Sequence, residues 1–169
     1  MDFTYNYRSP LADMTLASDG ENLTGVWFNR QKYFASTLDP QSENRRLPIF
    51  DMTCEWLDTY FAGKIPDFTP RLTMRGTPFR RAVWEILLTI PYGTTITYKE
   101  IASLLAHQSG RNSMSAQAVG SAVGHNPFAL IIPCHRVIGT DGSLTGYAAG
   151  LDIKCQLLAH ERQHFHPHS

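Results

Sequence analysis

The chain has 169 residues, enough for one compact domain or two small ones, and its 43% hydrophobic and 11% aromatic content excludes a disordered chain. Fifteen Lys/Arg balance fifteen Asp/Glu, so net charge marks no polyanionic partner, and no apolar run approaches a membrane span. The balance is uneven along the chain: residues 1–69 hold six basic and ten acidic side chains, residues 70–169 hold nine and five, and all seven histidines lie in the second part. Regions of −4 and +4 follow, with any polyanion expected at the second.

The N-terminus, MDFTYNYRSP, lacks the basic and apolar regions of a signal peptide, which predicts the cytoplasm. Cys54, Cys134 and Cys155 make no disulfide framework and read as thiols in a reducing compartment. Residues 1–38 predict short strands, punctuated by Pro10 and Asp19-Gly20, and DPQSENRRLP predicts a polar loop. From Ile49 the period becomes helical, with Phe50, Cys54, Leu57 and Phe61 on one face and Gly63 as the stop. Cys54 is therefore expected in the core. KIPDFTPRLTMRGTP, with three prolines and a glycine, predicts a linker.

Thr77 followed by Pro78 predicts a capped helix start, with Phe79, Val83, Ile86, Leu87 and Ile90 buried. After the PYGTTIT turn, YKEIASLLA predicts a second amphipathic helix, HQSGRNSM a polar connection, and SAQAVGSAVG a third helix of small residues. This order is similar to the three-helix core of DNA-binding domains, with a connection longer than their usual tight turn. The small-residue helix suits either close approach to a groove or tight helix packing. NPFALIIPCHRVIG predicts an extended or buried strand, TDGSLTGYAAG a glycine-rich loop, and LDIKCQLLAHE a last helix with Leu151, Cys155 and Leu158 on its core face.

Cys134 is the cysteine that lies on no helical stripe. A thiol attacks as the thiolate, and the neighbouring His135 is a candidate proton acceptor. Adjacent residues of an extended segment point to opposite faces, so a water relay or a tight turn has to bring them together. The imidazole needs an orienting carboxylate, for which Asp141, Asp152 and Glu161 are all candidates by spacing. Cys134 and His135 lack a second Cys/His pair at ligand spacing, so no metal is expected there. The four histidines of HERQHFHPHS could ligate a transition metal, but a terminal tail of this composition reads as frayed and solvated.

Taken together, IPCHRVIG, GYAAGL, LLAHE, GTPF…VW, IPYG…TYKEIA and AVGSAVGHNP resemble the O6-alkylguanine-DNA alkyltransferases, in register from about Gly76 to Glu161. The resemblance implies an α+β protein: a small N-terminal α/β, ribonuclease H-like domain over residues 1–70, linker included, and a helical, winged-helix-like DNA-binding domain over residues 71–169. It implies direct-reversal DNA repair, in which a damaged guanine is flipped out of double-stranded DNA from the minor groove. Its O6-alkyl group then passes irreversibly to Cys134, with O4-alkylthymine left open as a substrate. By motif position, His135 is the base through a water, Glu161 its orienter, Asn126 part of the same network, and Tyr98 the proton donor to guanine. Ser115, Gln117, Ala118 and Gly120 are implied in the DNA contact, and Ala129, Tyr147 and Ala148 in the base pocket. Three positions depart from common family residues: Gln117 replaces an arginine, Ala129 a proline and Ala148 a serine. The N-terminal zinc site of some members needs histidine, which residues 1–69 lack. The expectation is a suicidal methyltransferase without cofactor or metal, monomeric and away from membranes. The competing readings are a non-catalytic damage-binding protein and a cysteine hydrolase unrelated to DNA.

Overall fold

A computed structural model describes residues 1–165, so the end of the histidine-rich tail, 166–169, lies outside the described residues. The chain packs as two compact units, one of Met1–Arg75 with Pro127–Ile131, the other of Gly76–Asn126 with Ile132 onward. The first ends at Arg75 rather than Pro70 and takes back five residues from the middle of the second half.

In the first unit, β1 (Asp2–Arg8), β2 (Asp13–Ser18) and β3 (Leu23–Phe28) form an antiparallel meander. The polar loop carries a short strand, β4 (Ser42–Asn44), parallel to β1, which gives the sheet order β3-β2-β1-β4. Its three residues alternate exposed and half-buried, so apolar patterning could not announce it. Every residue of β3 is buried. At Gly25 a Cβ would fall 2.1 Å from the Trp27 ring, so only glycine lets that indole lie back across its own strand. Residues 29–38 are turns, not strand.

Helix α1 (Pro48–Phe61) starts on Pro48 and buries Ile49, Phe50, Thr53, Trp56, Leu57 and Tyr60. The buried stripe is rotated from the predicted one: Cys54 and Phe61 sit at its edges, half-buried. The linker is ordered. Leu72 bridges Leu23, and the Arg75 guanidinium holds the buried Asp2 carboxylate through bonds of 2.6 and 2.8 Å. That bond, outweighing the cost of burial, holds Asp2 below its ordinary range.

In the second unit, α2 (Pro78–Leu87) begins as its sequence predicts: the Thr77 hydroxyl accepts the Arg80 N–H at 3.2 Å with Pro78 in the first turn. Its buried face adds Trp84, whose indole N–H donates to Ala122 O at 2.8 Å, while Phe79 stays half-exposed. The turn that follows leads into β5 (Ile96–Thr97), then α3 (Tyr98–Ser109), which ends on Gly110 at φ 70°. Helix α4 (Ala116–Gly124) is capped by Ser115, buries Val119, Ala122 and Val123, and leaves Gln117 and Ser121 exposed. The buried face packs against neighbouring helices, and the opposite face of small residues is exposed.

Residues 127–136 form no strand beyond one isolated bridge. Phe128 bridges Val26 within the first unit, and the chain then turns sharply, with the Ile131 N–H on Ala129 O at 2.9 Å and Leu130 at φ 70°. A second tight turn puts the Cys134 N–H on Ile132 O at 2.7 Å, and Cys134–Arg136 form one turn of 3-10 helix. Only β6 (Val137–Ile138) is extended, parallel to β5. Helix α5 (Leu151–His164) closes the described chain.

Candidate active site

The 3-10 turn buries its three polar residues: Cys134 is 7% exposed, His135 0% and Arg136 8%. Two neighbours are supplied by α5. One is Glu161, 1% exposed, whose carboxylate accepts from His135, Arg136 and Gly93. Its Oε2 accepts from His135 Nε2 at 2.5 Å and from Arg136 Nη2 at 3.2 Å, and its Oε1 accepts from Arg136 Nε at 2.7 Å and from the Gly93 N–H at 3.0 Å. Arg136 also donates to Ile90 O at 2.6 Å. Of the three carboxylates that spacing left open, Glu161 is the one bonded to His135.

Burial by itself would raise the Glu161 carboxyl, but its bonds and charge interactions with His135 and Arg136 outweigh this and hold it well below the ordinary range. Glu161 is therefore an anion. A carboxylate only accepts, so the proton in the His135–Glu161 bond sits on Nε2 and Nδ1 is left as the basic atom. Burial depresses the imidazole against the pull of Glu161, and the nearby charges of Arg136 and Lys154 add to the depression. His135 is neutral at pH 7, as a proton acceptor has to be.

The second neighbour from α5 is Lys154, a lysine at 0% exposure. Its ammonium donates to Val137 O at 2.5 Å, Thr145 O at 2.9 Å and Gly146 O at 3.4 Å. Three carbonyls satisfy three N–H donors, which is how a lysine can be buried without a carboxylate partner. The bonds tie the segment after Cys134 to the glycine-rich loop.

Burial pushes the Cys134 thiol up, while the Asn126 carboxamide, the Lys154 charge and the Tyr147 hydroxyl oppose the rise. Asn126 is fixed by its own bond to Ile132 O at 2.8 Å. The Tyr147 hydroxyl is buried against the thiol, and burial, then that thiol, hold its pKa well above the ordinary phenol value. Tyr98 opens α3 beside the same loop, its hydroxyl on Thr145 O at 3.4 Å and its ring 3.8 Å from where a Gly120 Cβ would be. Burial and the Cys134 charge raise its pKa too. A thiol, a neutral imidazole fixed by a carboxylate, a local cation and two phenols make a site for nucleophilic transfer in which the nucleophile is kept neutral at rest.

Comparison with known proteins decides the lineage. Residues 78–163 match the family described as 6-O-methylguanine DNA methyltransferase, DNA binding domain, and residues 4–74 match its ribonuclease-like domain. The chain belongs to this methyltransferase family. It is 46% identical to a methylated-DNA–protein-cysteine methyltransferase of Mycolicibacterium paratuberculosis, over 92% of this chain and 90% of that one. A homologue of the same name from Methanosarcina acetivorans is 43% identical over 90% and 93%. Among solved structures, Mycobacterium tuberculosis OGT in complex with DNA superposes with a TM-score of 0.83 at 39% identity, covering 96% of this chain and 94% of that one. The α+β class expected from the sequence stands.

Against this family frame, the structure gathers Cys134, Asn126, Tyr98 and Tyr147 around one loop and joins His135 to Glu161. Ala148 lies half-exposed in that loop. Ser115 and Gln117 are exposed at the start of α4, with Ala118 and Gly120 half-buried behind them. Ala129 belongs to the segment packed in the first unit, where its N–H donates to Val26 O at 2.9 Å. Sequence reasoning missed Lys154, Arg136 and Gly93. Arg136 had one signal, its place in PCHRV. Lys154 had none, because a lysine in a helix is ordinarily a solvated one. Gly93 sits at φ +79°, and a Cβ there would meet the Phe165 ring at 2.6 Å, so the PYG turn that aims its N–H at Glu161 requires glycine.

Proposed function

We propose that Cys134 accepts the alkyl group in direct-reversal repair of O6-alkylguanine in DNA, as a methylated-DNA–protein-cysteine methyltransferase acting once. The observation that carries this reading is the buried Cys134 thiol, whose chain neighbour His135 is oriented by the Glu161 anion and kept neutral by burial.

The step balances as a single displacement. His135 Nδ1 takes the thiol proton through a water, and the Cys134 Sγ–carbon bond forms as the O6–carbon bond breaks. The leaving electron pair stays on the guanine, and the Tyr98 hydroxyl supplies the proton that neutralises it. Glu161 stabilises the imidazolium, with Arg136 keeping that carboxylate ionised. The Lys154 charge favours the thiolate, and its three carbonyl bonds hold the loop carrying Tyr147 against Cys134. Asn126 steadies the thiol. The product is a thioether with a saturated carbon and a poor leaving group, so no water regenerates Cys134 and one chain removes one alkyl group.

The target atom is inside the duplex, so the base has to be extruded, at a cost of a few kcal/mol that is lowest for a poorly paired base. Helix α4 offers the means: a thin exposed face that approaches the minor groove, with Gln117 placed to fill the vacated space and hydrogen-bond the orphaned cytosine. Ala148 and Gly146 leave backbone N–H groups near O6. No described helix is long and apolar enough to cross a membrane. Cys54, Cys134 and Cys155 are all free thiols, which suits the reducing cytoplasm, with the protein acting there as a monomer.

The deciding experiment weighs the intact protein after incubation with a duplex carrying O6-methylguanine. One added methyl group, absent in Cys134→Ser, is the expected result. Tight binding to the damaged duplex without a mass change overturns the acceptor role and leaves a damage-binding protein. Repeated turnover of an ester points to a hydrolase.

A further inference from the structure

The alkyl-transfer chemistry leaves unused the histidine-rich end of the chain, HERQHFHPHS. Its first two histidines close α5: His160 and His164 stand at i and i+4, one helical turn apart on the same side, and both are half-exposed. Their rings approach to 4.5 Å between centroids, with planes inclined at 48°. The His164 Nδ1 lies 2.7 Å from His160 O. A carbonyl only accepts, so Nδ1 carries the proton, and in the neutral ring Nε2 presents its lone pair.

Two imidazoles at i and i+4, one of them fixed by a carbonyl on its other nitrogen, are the arrangement by which a helix holds a transition metal. An ion there also meets the C-terminal end of α5, where the helix dipole and the last carbonyls favour positive charge. Glu161, beside His160 in the chain, is turned inward, so the site consists of nitrogen donors. That donor set suits Ni²⁺, Cu²⁺ and Zn²⁺, and it does not suit Mg²⁺ or Ca²⁺, which take oxygen ligands. Among the described residues no group of three or more metal-ligating side chains gathers, so water fills the remaining coordination positions. We propose that His160 and His164 form a surface site for a divalent transition metal ion on the last turn of α5. Its effect reaches inward. Phe165 follows directly, and its ring packs against Gly93, where a Cβ would fall 2.6 Å from it. The Gly93 N–H in turn donates to Glu161 at 3.0 Å. An ion bridging the two histidines keeps the end of α5 helical and Phe165 in place, so it stabilises the fold without entering the chemistry at Cys134.

The test is calorimetric titration of the metal-free full chain with nickel chloride, and with magnesium chloride as control. It compares wild type with the double variants His160→Gln/His164→Gln and His166→Gln/His168→Gln, the second of which removes the same number of imidazoles from the tail. Wild type is expected to bind nickel and not magnesium, and the helix variant to bind nickel roughly tenfold or more weakly. At free nickel about a hundred times Kd, the wild-type thermal midpoint should rise by roughly 5 °C, and that of the helix variant should stay put. A measurement on the wild-type chain needs no variant: paramagnetic nickel should broaden the ring protons of His160 and His164 before those of His107 and His125. Nickel affinity retained by the helix variant overturns the site, as does a wild-type chain that takes no nickel or broadens His107 or His125 first. None of these outcomes touches the repair reading, which the mass of the alkylated protein decides.

Discussion

Helices α1 and α5 are both fourteen residues long, and they are buried in opposite ways. The inner face of α1 is Ile49, Phe50, Thr53, Trp56, Leu57 and Tyr60, an apolar stripe that holds the helix in the first unit. The inner face of α5 is Lys154, Leu157, Leu158 and Glu161, half of it charged. Burial stabilises α1 through area removed from water, whereas α5 gains little that way and is held by charge-assisted bonds to a turn and a loop. The contrast separates scaffold from site. A helix that spends its buried positions on an ammonium and a carboxylate is there to place them.

The sharpest way to break that comparison is at the carboxylate. Glu161→Gln keeps size and some bonds but leaves the buried Arg136 cation uncompensated, at a cost of about 3 kcal/mol, and it removes the anion that supports imidazolium at His135. Alkyl transfer is expected to slow about a hundredfold, with duplex affinity nearly unchanged; a parallel loss of affinity would make Glu161 a structural residue only. Leu57→Ala in α1 carries a similar stability loss, about 3 kcal/mol, yet its folded molecules react at the wild-type rate. Urea unfolding and single-turnover kinetics on the two variants give the four numbers needed.

Acid provides a second measurement on the same group. The folded-state pKa of Glu161 lies below its unfolded value, so its contribution is fully present above the unfolded carboxylate range and is lost as pH falls through and below that range. Wild type should therefore lose urea stability between pH 5 and 3 more steeply than Glu161→Gln (about one carboxylate's share). Equal slopes would mean that the carboxylate is not held down in the fold.

Lys154→Met sharpens the comparison from the other side. Removing the buried charge relieves its desolvation cost while leaving its carbonyl acceptors without a donor, so the fold should lose no more than about 3 kcal/mol. The loop carbonyls of Thr145 and Gly146 lose their donor, and the thiol loses its local cation. The rate of alkyl transfer should fall about tenfold, and the pH at which Cys134 becomes reactive should move up. Lys154→Arg, which restores charge without the fit, should recover the pH profile better than the rate. A midpoint that collapses with an unshifted pH profile would reduce Lys154 to a structural clamp.

The same contrast explains what could be read in the chain. The Thr77-Pro78 start of α2, the strand meander and the helical period of α1, though not the exact setting of its buried stripe, obey capping and periodicity rules, and there local preference and burial largely agree. The segment at Cys134 disobeys them: an apolar run that reads as a strand contains Leu130 in the left-handed region and two three-residue turns, set by packing that no local pattern encodes. In α5 the apolar spacing pointed to Leu151, Cys155 and Leu158, but Leu151 is 47% exposed and Cys155 is exposed, because the inward positions are taken by Lys154 and Glu161. The motif resemblance supplied Cys134, His135 and Glu161. Periodicity alone would have turned the working face of α5 to solvent.

Cys155 and Cys54 make the smallest and cleanest test of that misreading. Both were expected in the core from helical spacing, yet Cys54 is half-buried, its thiol pushed up to about 11 chiefly by burial, while Cys155 is exposed on α5. If spacing governed both helices alike, Cys155→Ser would cost as much as Cys54→Ser. The structure instead predicts that Cys155→Ser changes stability by less than about 0.5 kcal/mol, the ordinary range for an exposed site, and that Cys54→Ser costs more. Thiol labelling at neutral pH should follow the same order, Cys155 first and Cys54 well behind, because the thiolate is the reactive form and burial suppresses it. Equal labelling of the two would mean that α5 turns its apolar stripe inward after all. Lys154 and Glu161 would then face water, and the support they give Cys134 and His135 would be lost with them.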